Sequence, residues 1–306
     1  MSPLESSHAD ARAALLAELV DYAGLFPPAS LDLATALTTY DRHLGEDHAD
    51  LLGRFVLPAV RLGELAPWLD GPWSPGRPLR LSLLTAGDGL ADVAAFLQAT
   101  PAVRAEALEL RLPAEAEPEA WLEKLLAELT RVGLVNLDAY VELNAGSDAE
   151  QLAALGRRQD RHPLRRLGAK LRCGGVTADL VPPVERVAAV IAGAREHHVP
   201  LKFTAGLHHP LRGMDRTEGV PMHGFLNVYG AALLAAAEDL AAAELIPVLA
   251  ETDAGAFQLD ADSFAWREHR VAAGRVAALR RDLLGGYGSC SFAEPVADLE
   301  SLSLLT

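Results

Sequence analysis

The sequence predicts an α/β protein built as a (β/α)8 TIM-type barrel with an N-terminal helical extension. Three observations lead there. Short apolar strands alternate with amphipathic helices along the 306 residues, the pattern of a parallel sheet with helical crossovers. Seven strands and a weaker eighth are legible, the number such a barrel needs. The segment following the first strand reads LPAVRLGEL, without the glycine fingerprint of a doubly wound dinucleotide fold.

A helical segment is expected over about 9–20, and another after Pro28 with Ser30 as its N-cap. Strands follow at RFVLPAV (54–60), LRLSLLT (79–85), AEALELRL (105–112), LDAYVEL (137–143), LGAKLRC (167–173), PLKFTAG (200–206) and YGSCSF (287–292). The weak eighth is AFQLD (256–260), or else part of IPVLAE (246–251). Helices are expected near 89–98, 117–131, 148–158, 183–197, 224–242 and 263–284. Residues 1–306 are expected to form a single barrel domain, with 1–50 as the helical extension. Asp21 and Tyr22 then precede the first strand, where they plug one end of the barrel or supply an acid to it.

Half of the residues are hydrophobic and the mean hydropathy is +0.13, values of a folded globular chain. The most apolar stretch, AALLAAAEDLAAAELIPVLAE, is broken by Glu238, Asp239, Glu244 and Pro247, so no membrane helix is expected. The N-terminus shows no signal-peptide pattern. Two cysteines, Cys173 and Cys290, are too few for a disulfide framework, and a cytoplasmic location is expected. A net charge of −15, from 42 acids against 27 bases, argues against nucleic acid and anionic membrane as partners. The expected partner is a small anionic molecule, with no cofactor, and a homo-oligomer is left open.

Strand side chains alternate between faces, and the two faces here differ in kind. One set is apolar: Leu108, Leu110 and Leu112, then Leu137, Ala139, Val141 and Leu143, then Leu167, Ala169, Leu171 and Cys173, then Leu201 and Phe203. These must pack on the outer helices. The opposite set, directed into the barrel, holds Glu109, Arg111, Tyr140, Glu142, Asn144, Lys170, Arg172 and Lys202. On the last strand Tyr287, Ser289 and Ser291 are assigned inward, and Cys290 outward. Barrel interiors are usually aliphatic, and unpaired buried charge is costly. The inward charges therefore form either a structural ion-pair network or an active site at the carboxyl ends of the strands.

Lys170 and Lys202 occupy matching depths on consecutive strands. Two ammonium groups so placed depress one another, and a neutral lysine can form a Schiff base with a carbonyl compound. The alternative is that each pairs with Glu142 or Glu109 and does nothing more. His208 is in register with Lys202 and suits general acid/base work. Arg172 and Arg212 suit an anionic group, with Tyr140, Asn144, Ser289 and Ser291 as further substrate contacts.

The stretches LGAKLRCGG and PLKFTAGLHHP resemble the paired lysine strands of class I aldolases of the deoxyribose-phosphate type. In that family one strand ends Lys-Thr-x-Thr-Gly and the next Lys-Ala-x-Gly-Gly. The resemblance implies that Lys170 is the Schiff-base former, Lys202 its electrostatic partner and Glu142 an acid or base within reach. It covers residues 137–210. Arg172 stands where the family has a small hydroxyl residue, and HHP replaces its glycine-rich phosphate turn. Separately, DYAGLFPPA, KLRCGG, KFTAGLHHP and GSCSFAEP are similar to stretches of an uncharacterised bacterial family, a likeness that implies no activity.

The expected function is thus an aldolase-like lyase acting on a small phosphorylated or carboxylated carbonyl compound. Two other readings remain. His208, His209 and His223, with Glu142 or Asp253, could bind a metal for a hydrolase or isomerase, although no HxH or HExxH spacing is present. A non-catalytic metabolite-binding barrel is the other.

Overall fold

A computed structural model describes residues 10–69, 71–175, 177–214 and 219–305; the first residue of the helix expected over 9–20 lies outside them. Eight parallel strands close into a barrel: β1 (Val20–Tyr22), β2 (Leu52–Pro58), β3 (Leu79–Thr85), β4 (Val103–Arg111), β5 (Asp138–Glu142), β6 (Arg166–Arg172), β7 (Leu201–Thr204) and β8 (Leu284–Ser289). Each pairs with its sequence neighbours, and β1 closes the ring between β8 and β2.

The eighth strand is therefore Val20–Tyr22 and not AFQLD, and it comes from the segment expected to be helical extension. Three residues are too few to show a period of two. Residues Phe257–Leu259 instead join Ser263–Trp266 and His269–Ala272 in an antiparallel sheet outside the barrel. That sheet takes up the first half of the helix expected over 263–284, leaving α9 at Ala273–Asp282. The helix expected over 224–242 is α7 (Phe225–Glu238), and a separate helix α8 (Ala242–Ala250), covering the IPVLA left open as a strand, follows Asp239 at φ 62°.

The remaining helices lie near their expected places: α1 (Ala11–Leu16), α2 (Leu33–His43), α3 (Leu90–Ala99), α4 (Pro118–Val132), α5 (Asp148–Gly156), α6 (Val184–Glu196) and α10 (Ala293–Ser301). The N-cap of α2 is Asp32, not Ser30: its carboxylate accepts the Thr35 N–H, while Ser30 sits at φ 46°. In α4, Pro118 occupies the first turn and Gly133 ends the helix at φ 78°.

The face assignment holds through the middle of the sheet. Leu108, Leu110, Ala139, Leu167, Ala169, Leu171, Leu201 and Phe203 are buried within the hydrophobic core. The last strand differs. Its span is 284–289, so Ser291 lies beyond it, and the Tyr287 ring stacks on Phe225 of α7 at 5.5 Å. Tyr287 faces the helices, and Ser289 shares its side of the strand. The inward positions of β8 are glycines: a Cβ on Gly285 would come 2.7 Å from Tyr140 Oη and one on Gly288 2.8 Å from the Thr204 hydroxyl, across a register shift between Leu284 and Tyr287.

Candidate active site

Polar side chains fill the barrel along its axis in three levels. At the amino ends of the strands, Arg54 Nη2 lies 3.0 Å from Asp138 Oδ2, which also accepts from Arg165 and Arg166 at 2.8 Å each. Arg54 Nε and Arg80 Nη2 share Glu106 at 3.4 and 3.0 Å. Burial pushes the Asp138 carboxyl up, but the arginines around it outweigh this and hold it at about 2.

Tyr140 fills the level above. Its ring stands where a Cβ on Gly168 would come within 2.8 Å, and its Oη where one on Gly285 would come within 2.7 Å. These glycines on β6 and β8 make room for the ring. The Tyr140 hydroxyl is buried with no hydrogen-bond partner among the described residues, and burial raises it to about 12.

The third level holds the two lysines. Strand pairing sets Glu142, Lys170 and Lys202 side by side across β5, β6 and β7. Lys170 Nζ lies 2.8 Å from Glu142 Oε2 and 3.1 Å from Glu109 Oε2. Lys202 Nζ contacts Asp21 and lies 3.6 Å from Glu109 Oε1, and it donates to the Gly286 carbonyl at 3.3 Å. Glu109 thus sits between the two ammonium groups, with the Ser82 hydroxyl donating to it at 2.7 Å. Burial pushes its carboxyl up, yet Lys170, Lys202 and Ser82 prevail and hold it at about 2.

The two lysines differ in depth. The Lys202 side chain is fully enclosed, whereas Lys170 retains 5% exposure and its partner Glu142 retains 12%. Lys170 and Glu142 face the carboxyl mouth. Arg172 follows Lys170 on the same face of β6 but emerges there exposed, as does Arg111 beyond Glu109, its side chain 75% exposed. The expectation that these two arginines are interior is corrected: each is the last residue of its strand, where the barrel opens to water.

The other expected contacts lie elsewhere. Asn144 Nδ2 donates to the Leu112 carbonyl, which ties two mouth loops together. Ser289 Oγ accepts the Ser291 N–H, and Ser291 Oγ accepts the Glu294 N–H, so both serines serve the turn into α10. Arg212 Nη1 lies 3.2 Å from His223 Nδ1.

The three histidines are held apart by separate partners. His208 Nδ1 pairs with Glu294 Oε2 at 2.9 Å, and His209 Nδ1 with Asp298 Oδ2 at 2.6 Å. The buried His223 directs Nε2 to the Pro182 carbonyl at 2.7 Å. Asp253 caps a short turn at Gly255. Among the described residues no group of three or more His, Cys, Asp or Glu side chains is placed to hold a metal ion. The described geometry therefore offers the His208, His209 and His223 reading no assembled ligand set. Cys290, assigned outward, instead lies 3.9 Å from His208 Nε2.

Four participants are only partly visible in the sequence. Glu109 was placed inward, though not in the site. Asp21 was legible as an acid near the barrel, yet without a strand to aim it. Ser82 carries a usable signal as the polar residue between Leu81 and Leu83, and Arg54 a weaker one as a charge between Gly53 and the core residue Phe55.

No protein-family model matches the chain, and no curated protein matches it. Among solved structures, the chain is similar to one described as a tetrameric deoxyribose phosphate aldolase from Aeropyrum pernix, at 13% identity and a TM-score of 0.47. The match covers 97% of this chain and 99% of that one.

Proposed function

We propose that the chain is a lyase that forms a Schiff base between Lys170 and a small anionic carbonyl compound. One observation carries the reading: of the two lysines set side by side in the barrel, only Lys170 reaches toward the mouth, and it does so with a carboxylate at 2.8 Å. Glu142 takes the proton from the Lys170 ammonium, and the freed amine adds to the carbonyl carbon. The resulting carbinolamine loses water to give the imine, with Glu142 returning the proton to the departing hydroxyl. Lys202, held between Asp21 and Glu109, is the electrostatic partner beside the imine. Arg172, two residues beyond Lys170 on the same face, meets the phosphate or carboxylate of the substrate at the mouth.

A second reading has its own observation. Every ammonium group of the third level already has carboxylate partners, as a barrel that binds without chemistry would also arrange.

Borohydride reduction in the presence of small phosphorylated and carboxylated carbonyls, read by intact mass, separates the two. The lyase reading expects a reduced adduct on the wild-type protein that is lost in Lys170→Met, with the variant's folding checked by circular dichroism. An adduct that persists in Lys170→Met overturns it. So does a wild-type protein whose thermal midpoint is raised by a panel compound that leaves no adduct, which is the outcome expected of the binding barrel.

A further inference from the structure

At the carboxyl mouth, apart from the lysines, Cys290, His208 and Glu294 form a relay. Cys290 Sγ lies 3.9 Å from His208 Nε2, and His208 Nδ1 lies 2.9 Å from Glu294 Oε2. The order is that of a nucleophile, a base and the group that orients the base. The cysteine is on the turn after β8, the histidine on the loop after β7 and the glutamate in the first turn of α10.

The turn is held on both sides of the thiol. The Ala23 N–H donates to the Ser289 carbonyl at 2.6 Å, the two serine hydroxyls accept the Ser291 and Glu294 N–H groups, and the Phe292 ring packs on His43 at 5.0 Å. Cys290 and His208 are half-buried, so a small reagent can reach the sulfur. Helix α10 begins three residues after Cys290, placing the positive end of its dipole near the thiol. Cys173 offers a contrast: it is fully buried and its thiol is pushed up to about 12 by that burial. Burial presses His208 toward the neutral form, but Cys290 and Glu294 outweigh it and raise the imidazole to about 9. An imidazole within reach of an accessible sulfur, oriented from its far side by a carboxylate, is the arrangement a nucleophilic cysteine uses.

We propose that Cys290, His208 and Glu294 constitute a second nucleophilic site, one that accepts the acyl group of a small activated ester or thioester. The Cys290 thiolate attacks the acyl carbon and a carbon–sulfur bond forms. The bond to the ester oxygen or thioester sulfur breaks, and the leaving group takes its proton from the His208 imidazolium. Water then attacks the acyl-cysteine, giving up a proton to His208, and the carbon–sulfur bond breaks to release the carboxylic acid and restore the Cys290 thiolate beside the His208 imidazolium. No oxidant or reductant enters. The site does not depend on Lys170, so its failure and that of the lyase reading are separate events.

The test uses 4-nitrophenyl acetate and the full chain at neutral pH, with peptide mapping. A nitrophenolate burst of about one equivalent is expected, with acetyl on the Cys290 peptide and none on Cys173. The burst is expected to vanish in Cys290→Ser and to slow at least about tenfold in His208→Gln. Glu294 is largely exposed, so Glu294→Gln is expected to slow it by only roughly twofold to fivefold. Acetyl on Lys170 in place of Cys290, or a His208→Gln burst as fast as wild type, overturns the proposal. A further measurement needs no variant: iodoacetamide alkylation of wild-type Cys290 no faster than that of N-acetylcysteine at the same pH also overturns it.

Discussion

Replacing Glu109 by Gln removes one negative charge from a site where two ammonium groups share it. The cost can be worked two ways. A carboxyl held at about 2 in place of its ordinary 4.5 is worth roughly 3 kcal/mol of stability at neutral pH, at ~1.4 kcal/mol per pH unit. Deleting one partner of a buried ion pair costs about 3–5 kcal/mol. The lower end applies here, because Asp21 remains with Lys202 and Glu142 with Lys170. With an unfolding entropy of ~2.1 cal/mol/K for each of the 306 residues, about 3 kcal/mol lowers Tm by roughly 5 °C. The pH dependence gives the sharper check. A carboxyl depressed in the folded state stabilises fully above 4.5 and loses that contribution as pH falls toward 2. The gap between wild type and Glu109→Gln should therefore narrow from roughly 3 kcal/mol at pH 7 to roughly 2 kcal/mol at pH 3.5. Urea unfolding at the two pH values measures it. A Tm change under about 1 °C at pH 7, or a gap that widens on acidification, refutes the shared-carboxylate account.

His208 titrates in the opposite sense. Its folded-state value is raised to about 9, so its contribution to stability is complete below 6.5 and disappears as pH climbs through 9. His208→Gln should lower Tm at pH 6 and leave it nearly unchanged at pH 10; equal losses at the two pH values contradict the pairing with Glu294 and Cys290. Tyr140→Phe removes a buried hydroxyl that lacks a partner, so stability should hold or rise by about 1 kcal/mol. Thermal melts of the two proteins decide this, and a drop in Tm of more than a few degrees means the hydroxyl is bonded after all.

The polar faces of β4 to β7 were legible because each strand alternates cleanly over five or more residues, as in Leu108-Glu109-Leu110-Arg111. That pattern alone set Glu109, Glu142, Lys170 and Lys202 in one interior. Depth was not legible. Arg172 and Lys170 share a face, and only the end of β6 decides that one is exposed and the other buried. Val20-Asp21-Tyr22 escaped because three residues carry no period and a helical segment adjoins them. The hairpin at Ser263–Ala272 read as helix because its Phe264, Ala265, Trp266 and Val271 are buried with no strict alternation. Cys290 was assigned outward because Tyr287, Ser289 and Ser291 read as the polar inward face of a strand over 287–292, whereas β8 ends at Ser289 and Cys290 lies on the turn beyond it, where no pleat sets its direction.

The three levels of polar residues do different work, and their connections show which part can change without unfolding the barrel. The lowest level joins Arg54, Asp138, Arg165 and Arg166, and Asp138 is fully buried beneath three guanidinium groups. Nothing there reaches the mouth, so its role is to close the bottom of the barrel. Asp21 links that floor to the upper level: its Oδ1 accepts the Arg54 N–H at 2.7 Å while Oδ2 holds Lys202. Gly53 permits this approach, since a Cβ there would meet Asp21 Oδ1 at 2.4 Å. Lys202 is therefore fixed from below and from the side through Glu109, leaving it neither exposure nor freedom to turn. Lys170 has Glu109 on one side and the partly exposed Glu142 on the other. It can exchange Glu142 for an incoming group while Glu109 keeps its second lysine. That asymmetry is what supports the proposal that Lys170 carries the chemistry and Lys202 its electrostatic support.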